Sequence, residues 1–482
     1  MKKQRLLSLL LALIMTGGLA SCSDDTNDTT DDTTPSDTTA ADTEEEGYKL
    51  SVPETDLDEE VITYLAAENY IANFRLICDE TKGDNLNEAG YKRALAVSEL
   101  LNVKFDSYEL PNAQVYGALN SSVMAGEDVY DFVLPHCTTA LGAMIVDNLI
   151  QGWENLEYVD FTKPWWNTRM QDTLSLAGHT YFASGDITMT WQSMQGVVFN
   201  KDYLEKYQID EDLYETVWRG EWTIDKMMEL TAGVGDDVTG DQKMTEADQY
   251  GLLLTMNGGP AFQLAMGQPI TTLDDDGCPQ LAMGTEKMIN IVEKYYKLTN
   301  AEDTRIESYS SANFPTSVYR DILVSGRSFM SVMDIGGLYM NLRELTFDFG
   351  IIPLPKYDEA QESYYSGVAA GIIAVPSSAN TKTVGMVAEA LAYYSYEYIR
   401  PAFFDVVLQN KAVRDEESYE MLTLMHESKQ FDFGWNFTSA WAMLEKVVVN
   451  QKSTDFASYY ASKEESINKS IREIYDAVVA DD

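Results

Sequence analysis

The stretch GVVFNKDYL, residues 196–204, passes from an apolar run to a polar one within nine residues. Residues 196–199 predict a short buried strand, and Asn200 is able to cap the helix that follows. A second helix start lies at residues 222–225, where Thr223 is the predicted N-cap and Asp225 lies favourably against the helix dipole. These two motifs predict an α/β chain in which strands lead directly into helices.

The chain before residue 196 shows the same alternation of strands and helices. Residues 70–79 predict a first strand, residues 87–101 a helix, and residues 103–105 a second strand. A further helix precedes a nearly all-apolar third strand at residues 129–134. This order is typical of parallel strands joined by helical crossovers. Ligands bind beyond the carboxyl ends of such strands, which draws attention to residues 135–139.

The chain after residue 204 predicts more strands and helices of the same kind. Strands are predicted at residues 251–255, 328–333, 349–353 and 371–376, and helices at 381–399, 439–449 and from 463 onwards. The folded part is predicted to start near Val61. A chain of this length is too long for one ordinary core, so two lobes are predicted.

The first 22 residues resemble a bacterial lipoprotein signal. Lys2, Lys3 and Arg5 precede an apolar run over residues 6–15, and residues 19–22 read Leu-Ala-Ser-Cys. This pattern predicts a signal peptide at residues 1–21 and a lipid on Cys22. A plain secretory signal or a short membrane anchor are the alternatives, but the apolar run is shorter than the ~18 to 20 residues of a spanning helix.

The segment that follows is predicted to be a disordered acidic tether. Residues 23–47 are rich in Asp, Glu, Ser and Thr and contain no cation, so they cannot bury enough apolar surface to fold. The linker is placed at residues 22–60. The formal charge of the whole chain is −44. Such an acidic chain argues against nucleic acid as a partner, and leaves the lipid as the predicted membrane contact.

Cysteine and histidine are too sparse for most familiar catalytic chemistries. Cys78, Cys137 and Cys278 remain beside Cys22, which allows at most one disulfide and gives no zinc spacing. The three histidines are His136, His179 and His426, and no HExxH, GxSxG or glycine-rich phosphate loop is present. The sequence therefore predicts no catalytic residues and no cofactor, apart from the calcium considered below.

Five passages together resemble one family. They are residues 129–132 with Leu149 and Asn155-Leu156, residues 197–204, residues 222–226, residues 349–355 and residues 371–390. In this order they are similar to the extracellular solute-binding proteins of family 1, which deliver sugars to ABC importers and share the fold of maltose-binding protein. One departure lies at residues 147–150, Asp-Asn-Leu-Ile, which lack the glycine usual at that place.

The resemblance implies a two-lobed periplasmic-binding-protein-like fold of class II, with a ligand cleft between lobes joined by hinge crossovers. The N-lobe would contain residues 61–192 and 366–398, and the C-lobe residues 193–365 and 399–482. It further implies a monomeric carbohydrate-binding protein, not an enzyme, that serves an ABC permease. With the lipid on Cys22, the protein would lie on the outer face of the cytoplasmic membrane, at the cell surface or in a periplasm.

A sugar site needs aromatic platforms and short polar side chains, and the resemblance places such residues at strand ends and crossovers. The candidates are His136, Thr138, Thr139, Trp191, Gln192, Ser193, Asp334, Tyr364, Trp435 and Asn436. Structural roles remain open for several of them. His136 is alternatively a satisfied histidine at a helix start, Trp191 a residue that packs the hinge, and Trp435 a core residue. Trp165 and Trp166 are predicted to brace the structure.

One acidic segment has the spacing of a calcium loop. Asp237, Thr239, Asp241, Thr245 and Asp248 occupy positions 1, 3, 5, 9 and 12 of such a loop. Gln242 stands where the loop needs glycine, and Asp248 stands where it needs a bidentate glutamate. The alternatives are a calcium site and an acidic surface turn.

Two other functions remain open at this point. A secreted carbohydrate-active hydrolase needs a carboxylate pair, and the sequence singles out none among its 78 acidic residues. A ligand-binding module that feeds a sensor kinase would share every feature described so far. Release of product from a bound sugar distinguishes the hydrolase, and the genes beside this one distinguish the sensor.

Overall fold

A computed structural model describes residues 48–78, 85–136, 139–307, 317–341, 344–369, 371–409 and 416–480, without the side chains of residue 340 and residues 405–409. Residues 1–47, which include the predicted signal peptide and most of the tether, lie outside this description. Leu50–Asp482 form one structural unit. Within it, two sheets of three and five strands organise the chain.

The strands are numbered in chain order. They are β1 (Glu60–Ala67), β2 (Val103–Leu110), β3 (Phe132–Leu134), β4 (Ile150–Gln151), β5 (Gln195–Asn200), β6 (Tyr250–Thr255), β7 (Thr271–Leu273), β8 (Pro279–Leu281), β9 (Thr304–Glu307), β10 (Ser328–Asp334), β11 (Phe349–Pro353), β12 (Ser366–Gly367), β13 (Val375–Pro376) and β14 (Lys429–Gln430).

The helices are identified by their residues. The α-helices are Tyr70–Asn73, Asn85–Leu101, Asn112–Ala125, Leu141–Val146, Thr168–Leu174, Asp202–Lys206, Leu213–Trp218, Ile224–Thr231, Gly259–Ala265, Glu286–Thr299, Val318–Val324, Ile335–Asn341, Thr381–Tyr394, Arg400–Gln409, Glu416–Glu427, Phe433–Phe437, Met443–Glu445, Phe456–Ala461 and Glu464–Ala480. Short 3-10 helices span Trp153–Asn155, Asp186–Thr188, Thr190–Ser193 and Ser439–Ala442, and π-helical turns span Ser395–Ile399 and Lys446–Asn450.

The first sheet is parallel, with the strand order β2-β1-β3. Successive residues of β1 pack on opposite faces: Ile62 and Tyr64 lie in one apolar core, whereas Leu65 lies in the other. Both faces of the central strand are therefore covered, as expected for a parallel sheet. The pair β4 and β13 continues this layer through single antiparallel bridges from Val133 to Ala374 and from Ala183 to Ile373.

The prediction of a first strand at residues 70–79 is wrong. The strand lies at Glu60–Ala67, and Tyr70–Asn73 forms one turn of helix. Asn69, two residues beyond the strand, has a left-handed backbone with φ of 71° and immediately precedes this helix. Asparagine tolerates this conformation better than most residues.

The second sheet has the strand order β11-β5-β10-β6-β9. Strands β6, β9 and β10 are parallel, whereas β5 runs antiparallel to both of its neighbours. The first residue of β5, Gln195, therefore lies at the same edge as the last residue of β10, Asp334, and the two are register partners. The predicted N-cap Thr223 accepts a hydrogen bond from the Lys226 amide at 3.2 Å.

The chain passes between the two sheets three times. The first crossover leaves the first sheet after Ala183 and enters β5 at Gln195. The second runs from β11 through β12, which pairs with β14, to the bridge at Ile373. The third follows the helix Thr381–Tyr394 through the π-helical turn into the helix that starts at Arg400. The lobe boundaries assigned from the sequence stay predictions.

Other elements also connect the parts built around the two sheets. The helix Glu464–Ala480 buries a stripe that includes Ile471 and Ile474, as its sequence pattern predicts. Ile474 packs so closely on Gly142 that an added Cβ there would lie 2.4 Å from the Ile474 Cδ1 atom. Phe182 and Phe437 form an edge-on aromatic pair with ring centroids 5.6 Å apart.

Trp165 and Trp166 brace the structure, as predicted. Their side chains are buried, and both indole N–H groups donate to the Glu389 carboxylate, at 3.1 Å and 2.7 Å. The amide of Asp160 donates to the same group at 3.3 Å. Burial raises the pKa of Glu389 to about 7, although these three donors oppose the shift. The carboxylate joins the helix Thr381–Tyr394 to the loop that carries both tryptophans.

Two further sequence expectations concern cysteine and the membrane. Cys278 is a buried free thiol, and its burial raises its pKa; Cys137 lies outside the described residues. In the described part of the chain, no helix combines the length and the apolar character that crossing a membrane requires.

Candidate ligand-binding site

Polar and aromatic side chains gather where the strands of the first sheet end. Tyr70 follows β1, Asn112 follows β2 and His136 follows β3. The rings of Tyr70 and His136 are in edge contact, with centroids 5.8 Å apart. The Thr139 hydroxyl donates to the Asn112 side chain, and the Thr139 amide donates to the His136 carbonyl at 2.8 Å. We call these four residues the Tyr70 cluster.

The Tyr70 cluster is electrically neutral near pH 7. His136 is half-buried, and burial lowers its pKa, so its imidazole is uncharged and has one donor and one acceptor nitrogen. The cluster contains two of the predicted ligand-binding residues, His136 and Thr139. Thr138 lies outside the described residues. Ligand contact by these residues stays a prediction, whereas their position at the strand ends is observed.

A second group of polar side chains lies at the carboxyl edge of the second sheet. Gln195 and Asp334 are cross-strand partners there, and the turn that follows β6 brings Gly258 to the same edge. The Gln195 Oε1 atom is buried without a hydrogen-bond partner and lies 3.9 Å from an ideal Cβ at Gly258. Gly258 follows β6, and β10 lies between β6 and β5 in the sheet. The Gln195 side chain of β5 therefore extends past the end of β10 towards Gly258. We call Gln195, Asp334, Gly258 and Glu445 the Gln195 cluster.

Hydrogen bonds hold the turn after β6 in place. The Gly259 amide donates to Glu445 Oε2 at 3.2 Å, and the hydroxyl of buried Tyr295 donates to the same oxygen at 3.3 Å. Burial raises the pKa of Glu445. An added Cβ at Gly259 would lie 3.0 Å from Glu445 Oε2, so glycine permits the close approach. Asp334 has a different local role, since its Oδ1 accepts from the Gly337 amide at 2.6 Å.

Trp191 does not present its ring to a ligand in this structure. Only 1% of its surface is exposed, and its ring centroid lies 3.8 Å from that of Phe403 in the third crossover. This favours the alternative that Trp191 packs the hinge. Gln192 and Ser193, which follow it, are half-buried. Gln192 lies against Gly336, so it approaches the turn after Asp334.

Tyr364 is a core residue and lies away from the strand ends. Its hydroxyl donates to the Val217 carbonyl at 3.1 Å, and Lys356 Nζ lies over its ring at 5.3 Å from the centroid. With 7% of its surface exposed, the side chain is committed to packing against the helix Leu213–Trp218. The prediction that Tyr364 reaches the cleft is not supported by this position.

Trp435 and Asn436 lie in the short helix Phe433–Phe437 and are both buried. The Trp435 ring packs on Gly367, where an added Cβ would lie 2.9 Å from the indole. Asn436 Nδ2 donates to the Asp432 carbonyl at 3.0 Å, whereas its Oδ1 has no hydrogen-bond partner. In this structure Trp435 therefore packs as a core residue, which is the second of the two alternatives for it.

The acidic segment at residues 237–248 forms a turn stabilised by its own hydrogen bonds. Asp237 accepts from the Gly240 amide at 2.8 Å and from the Gln242 amide at 2.6 Å. Asp248 accepts from the Thr245 amide at 2.7 Å and its hydroxyl at 3.0 Å. These bonds lower the pKa values of both carboxyl groups. The hydrogen-bonded acidic turn is observed, whereas calcium binding by this segment stays a prediction.

The sequence-based selection missed Gln195, Tyr70 and Asn112. Tyr70 was assigned to a strand, which concealed its position at a strand end. Gln195 is the first residue of β5 and lies at the same edge as the carboxyl end of β10 only because the two strands are antiparallel. Asn112 comes shortly after β2, which ends at Leu110. The sequence analysis predicted this strand only at residues 103–105, so it did not place Asn112 at a strand end.

Comparisons with known proteins support the architecture. No family model matches the chain, and no curated protein sequence matches it. Several solved structures are similar. The galacto-N-biose/lacto-N-biose I-binding protein of an ABC transporter from Bifidobacterium longum, in complex with lacto-N-biose, has a TM-score of 0.57 and 13% identity, over 85% of this chain and 97% of that one.

Two other solved structures have slightly lower TM-scores. An ABC substrate-binding protein from Listeria monocytogenes in complex with cycloalternan has a TM-score of 0.55 and 15% identity, over 86% of this chain and 99% of that one. An ABC transporter solute-binding protein from Thermotoga lettingae bound with α-D-tagatose has a TM-score of 0.54 and 14% identity, over 86% and 100%. The chain therefore has the two-lobed α/β fold of the ABC solute-binding proteins, as the resemblance predicts.

Proposed function

We propose that this protein is the extracytoplasmic solute-binding lipoprotein of an ABC importer and that it binds a carbohydrate between its two lobes. The observation that carries the proposal is the pair of polar clusters at the carboxyl edges of the two sheets. In this fold class, ligands lie beyond those edges. The similar structures are complexes with lacto-N-biose, cycloalternan and α-D-tagatose, which are all sugars.

The chemistry of the two clusters suits a neutral, hydroxyl-rich ligand. The Tyr70 cluster offers an aromatic ring, a neutral imidazole, an amide and a hydroxyl. The Gln195 cluster offers an amide oxygen without a partner and the Asp334 carboxylate. Neither cluster contains a cation, so an anionic ligand would gain no charge pairing there. Sugar hydroxyls donate and accept hydrogen bonds, and sugar C–H faces pack on aromatic rings.

Binding between lobes gives the protein its delivery function. A ligand that contacts both clusters stabilises the arrangement in which the lobes enclose it, since it gains contacts from each side only there. The enclosed form presents a surface that the ligand-free form lacks, and the permease is proposed to recognise that surface. The similar solved structures are binding proteins, and we propose that this chain likewise binds its sugar without chemical change.

The direct test is a panel of sugars against the purified protein. Thermal unfolding and titration calorimetry are measured with mono-, di- and oligosaccharides, with amino acids and short peptides as the comparison set. A sugar at one hundred times its dissociation constant is expected to stabilise the folded protein by about 2.7 kcal/mol. No stabilisation by any sugar, or stabilisation by peptides alone, would contradict the proposal. Release of a cleaved product would instead favour a hydrolase.

The lipid anchor on Cys22 is part of the proposal and has its own test. Cys22→Ala is expected to move the protein from the membrane fraction to the soluble fraction, because the two acyl chains of a diacylglyceryl group are the only proposed membrane contact. Fractionation of the bacterial cells followed by immunoblotting measures the distribution. Cys278→Ala, a change of the same type at a buried thiol, is the control and is expected to stay with the membrane. A Cys22→Ala protein that still sediments with membranes would refute the anchor.

A further inference from the structure

A cavity of about 450 Å³ lies where the first and third crossovers meet. Its walls come from residues 164–169 of the first lobe, from Asp186 and Trp191 of the first crossover, from Arg400 of the third, and from residues 426–429 beside β14. No member of the Tyr70 cluster or of the Gln195 cluster contributes to it. The cavity is therefore separate from the proposed sugar site.

The walls of this hinge cavity carry an excess of positive charge. Three cations, Arg169, Arg400 and Lys429, line it, against two carboxylates, those of buried Asp186 and exposed Glu427. Arg400 is paired with Asp186 at 2.7 Å. Lys429 has no carboxylate within 4 Å in the described part of the chain, and its Nζ lies 3.1 Å from His426 Nδ1. Such a concentration of cations is unusual in a chain with a net charge of −44.

The same walls also contain hydrogen-bond donors that have no acceptor. Arg400 Nε and Asn167 Nδ2 are buried, and neither has a hydrogen-bond partner. Buried donors are normally paired, because an unpaired one costs about 1 to 3 kcal/mol. Two other lining residues also carry a buried atom with no hydrogen bond, the Trp191 Nε1 donor and the Asp186 Oδ2 acceptor, which lies 2.7 Å from an Arg400 nitrogen. The unpaired atoms on the walls are therefore mainly donors.

We propose that the hinge cavity binds a small oxyanion, a carboxylate or phosphate group, held by Arg169, Arg400 and Lys429. The planar guanidinium groups match the geometry of such oxyanions, and the lysine adds a compact charge. Because the walls belong to both lobes and to two crossovers, the bound oxyanion fixes their relative arrangement. The affinity for sugar and the affinity for the oxyanion are then linked.

The charge state of Lys429 makes the site pH-dependent. Burial and the nearby Arg400 and Arg169 lower the pKa of Lys429 to about 7, although Asp186 opposes the shift. Three other titratable groups lie nearby. Burial and the charge of Lys429 lower the pKa of His426, so its imidazole is neutral. The other two are the exposed carboxylate of Glu427 and the carboxylate of Glu389, which lies behind the Trp165 and Trp166 indoles. Lys429 loses its proton as the pH rises through 7, so the oxyanion binds more weakly at higher pH.

Sulfate is the probe, because it keeps its double charge from pH 6 to 8.5 whereas phosphate does not. Calorimetric titration of the purified protein in dilute chloride buffer is expected to show sulfate affinity falling about tenfold between those two pH values. Phosphate and acetate, titrated at one pH, show which oxyanion class the cavity prefers. Absence of binding by sulfate, phosphate and acetate alike at millimolar concentration overturns the proposal.

Three variants test the assignment of the residues. Lys429→Gln is expected to weaken sulfate binding about tenfold at pH 6 and to remove its pH dependence, whereas Lys429→Arg keeps the affinity and removes only the pH dependence. Arg169→Gln changes an exposed side chain and is expected to weaken binding in a protein that folds normally. Exposed Lys382 is the control, since Lys382→Gln leaves binding unchanged. Equal sulfate affinity in all four variants overturns the proposal, and sugar binding is measured independently.

Discussion

Replacing Asp432 with alanine is expected to lower the free energy of unfolding by about 3 to 5 kcal/mol. Asp432 is 3% exposed and accepts four hydrogen bonds. The donors are the Ile270 amide at 2.8 Å, the Thr271 amide and hydroxyl at 3.3 Å and 2.9 Å, and the Gly434 amide at 2.7 Å. The alanine variant removes the acceptor of the Ile270 amide and of the Thr271 amide and hydroxyl, whereas the Gly434 amide keeps the Thr271 hydroxyl oxygen at 3.0 Å. Chemical denaturation followed by circular dichroism measures the change.

Asp455→Ala is the matched control for this prediction. Asp455 is also an aspartate N-cap, which accepts from the Ser458 amide at 3.3 Å, but it is exposed to solvent. Water is able to satisfy the freed donor there, so the expected loss is about 0.5 to 1 kcal/mol. Similar losses in the two variants would show that Asp432 acts only as a helix cap. A much larger loss for Asp432→Ala supports its role in joining the helix Phe433–Phe437 to β7.

The sequence predicted the bounds of some strands well and of others poorly. The strand at Phe349–Pro353 was predicted with its observed bounds from its apolar residues and terminal proline, but the strand predicted at residues 371–376 by the same signal is observed only at Val375–Pro376. In contrast, residues 61–67 and 70–79 are both rich in apolar and β-branched or aromatic residues. The left-handed Asn69 separates them, and nothing in the sequence distinguishes it from an ordinary asparagine.

The candidate site was predictable to the extent that strand ends were predictable. His136 and Asp334 were selected because they follow apolar runs, and both lie at the carboxyl edges of the sheets. Trp191 and Tyr364 were selected as aromatic residues near crossovers, but their burial depends on Phe403 and Val217, which are far away in the sequence. Gln195 was missed because strand direction is set by pairing with β10 and β11, which the residues of β5 do not reveal.

Gln195→Leu is expected to weaken binding of the sugar found in the panel by about ten- to a hundredfold, with almost no loss of stability. The Gln195 Oε1 atom is buried and has no partner within the protein, so its removal breaks no internal hydrogen bond. Leucine has a similar volume, and the change in the free energy of unfolding should stay below about 1 kcal/mol. A bound sugar would lose an acceptor for one hydroxyl. Calorimetry with the sugar and denaturation without it measure the two effects separately.

Gln171→Leu distinguishes a role in binding from a general effect of the substitution. Gln171 is 6% exposed, and both of its side-chain amide atoms are buried without partners, but it lies in the helix Thr168–Leu174, away from both clusters. The same substitution there should leave sugar affinity unchanged. If both variants lose affinity equally, the effect is transmitted through the fold and Gln195 does not contact the ligand. If only Gln195→Leu loses affinity, the unpaired amide at the edge of the second sheet is a ligand contact, because stability and affinity then respond independently.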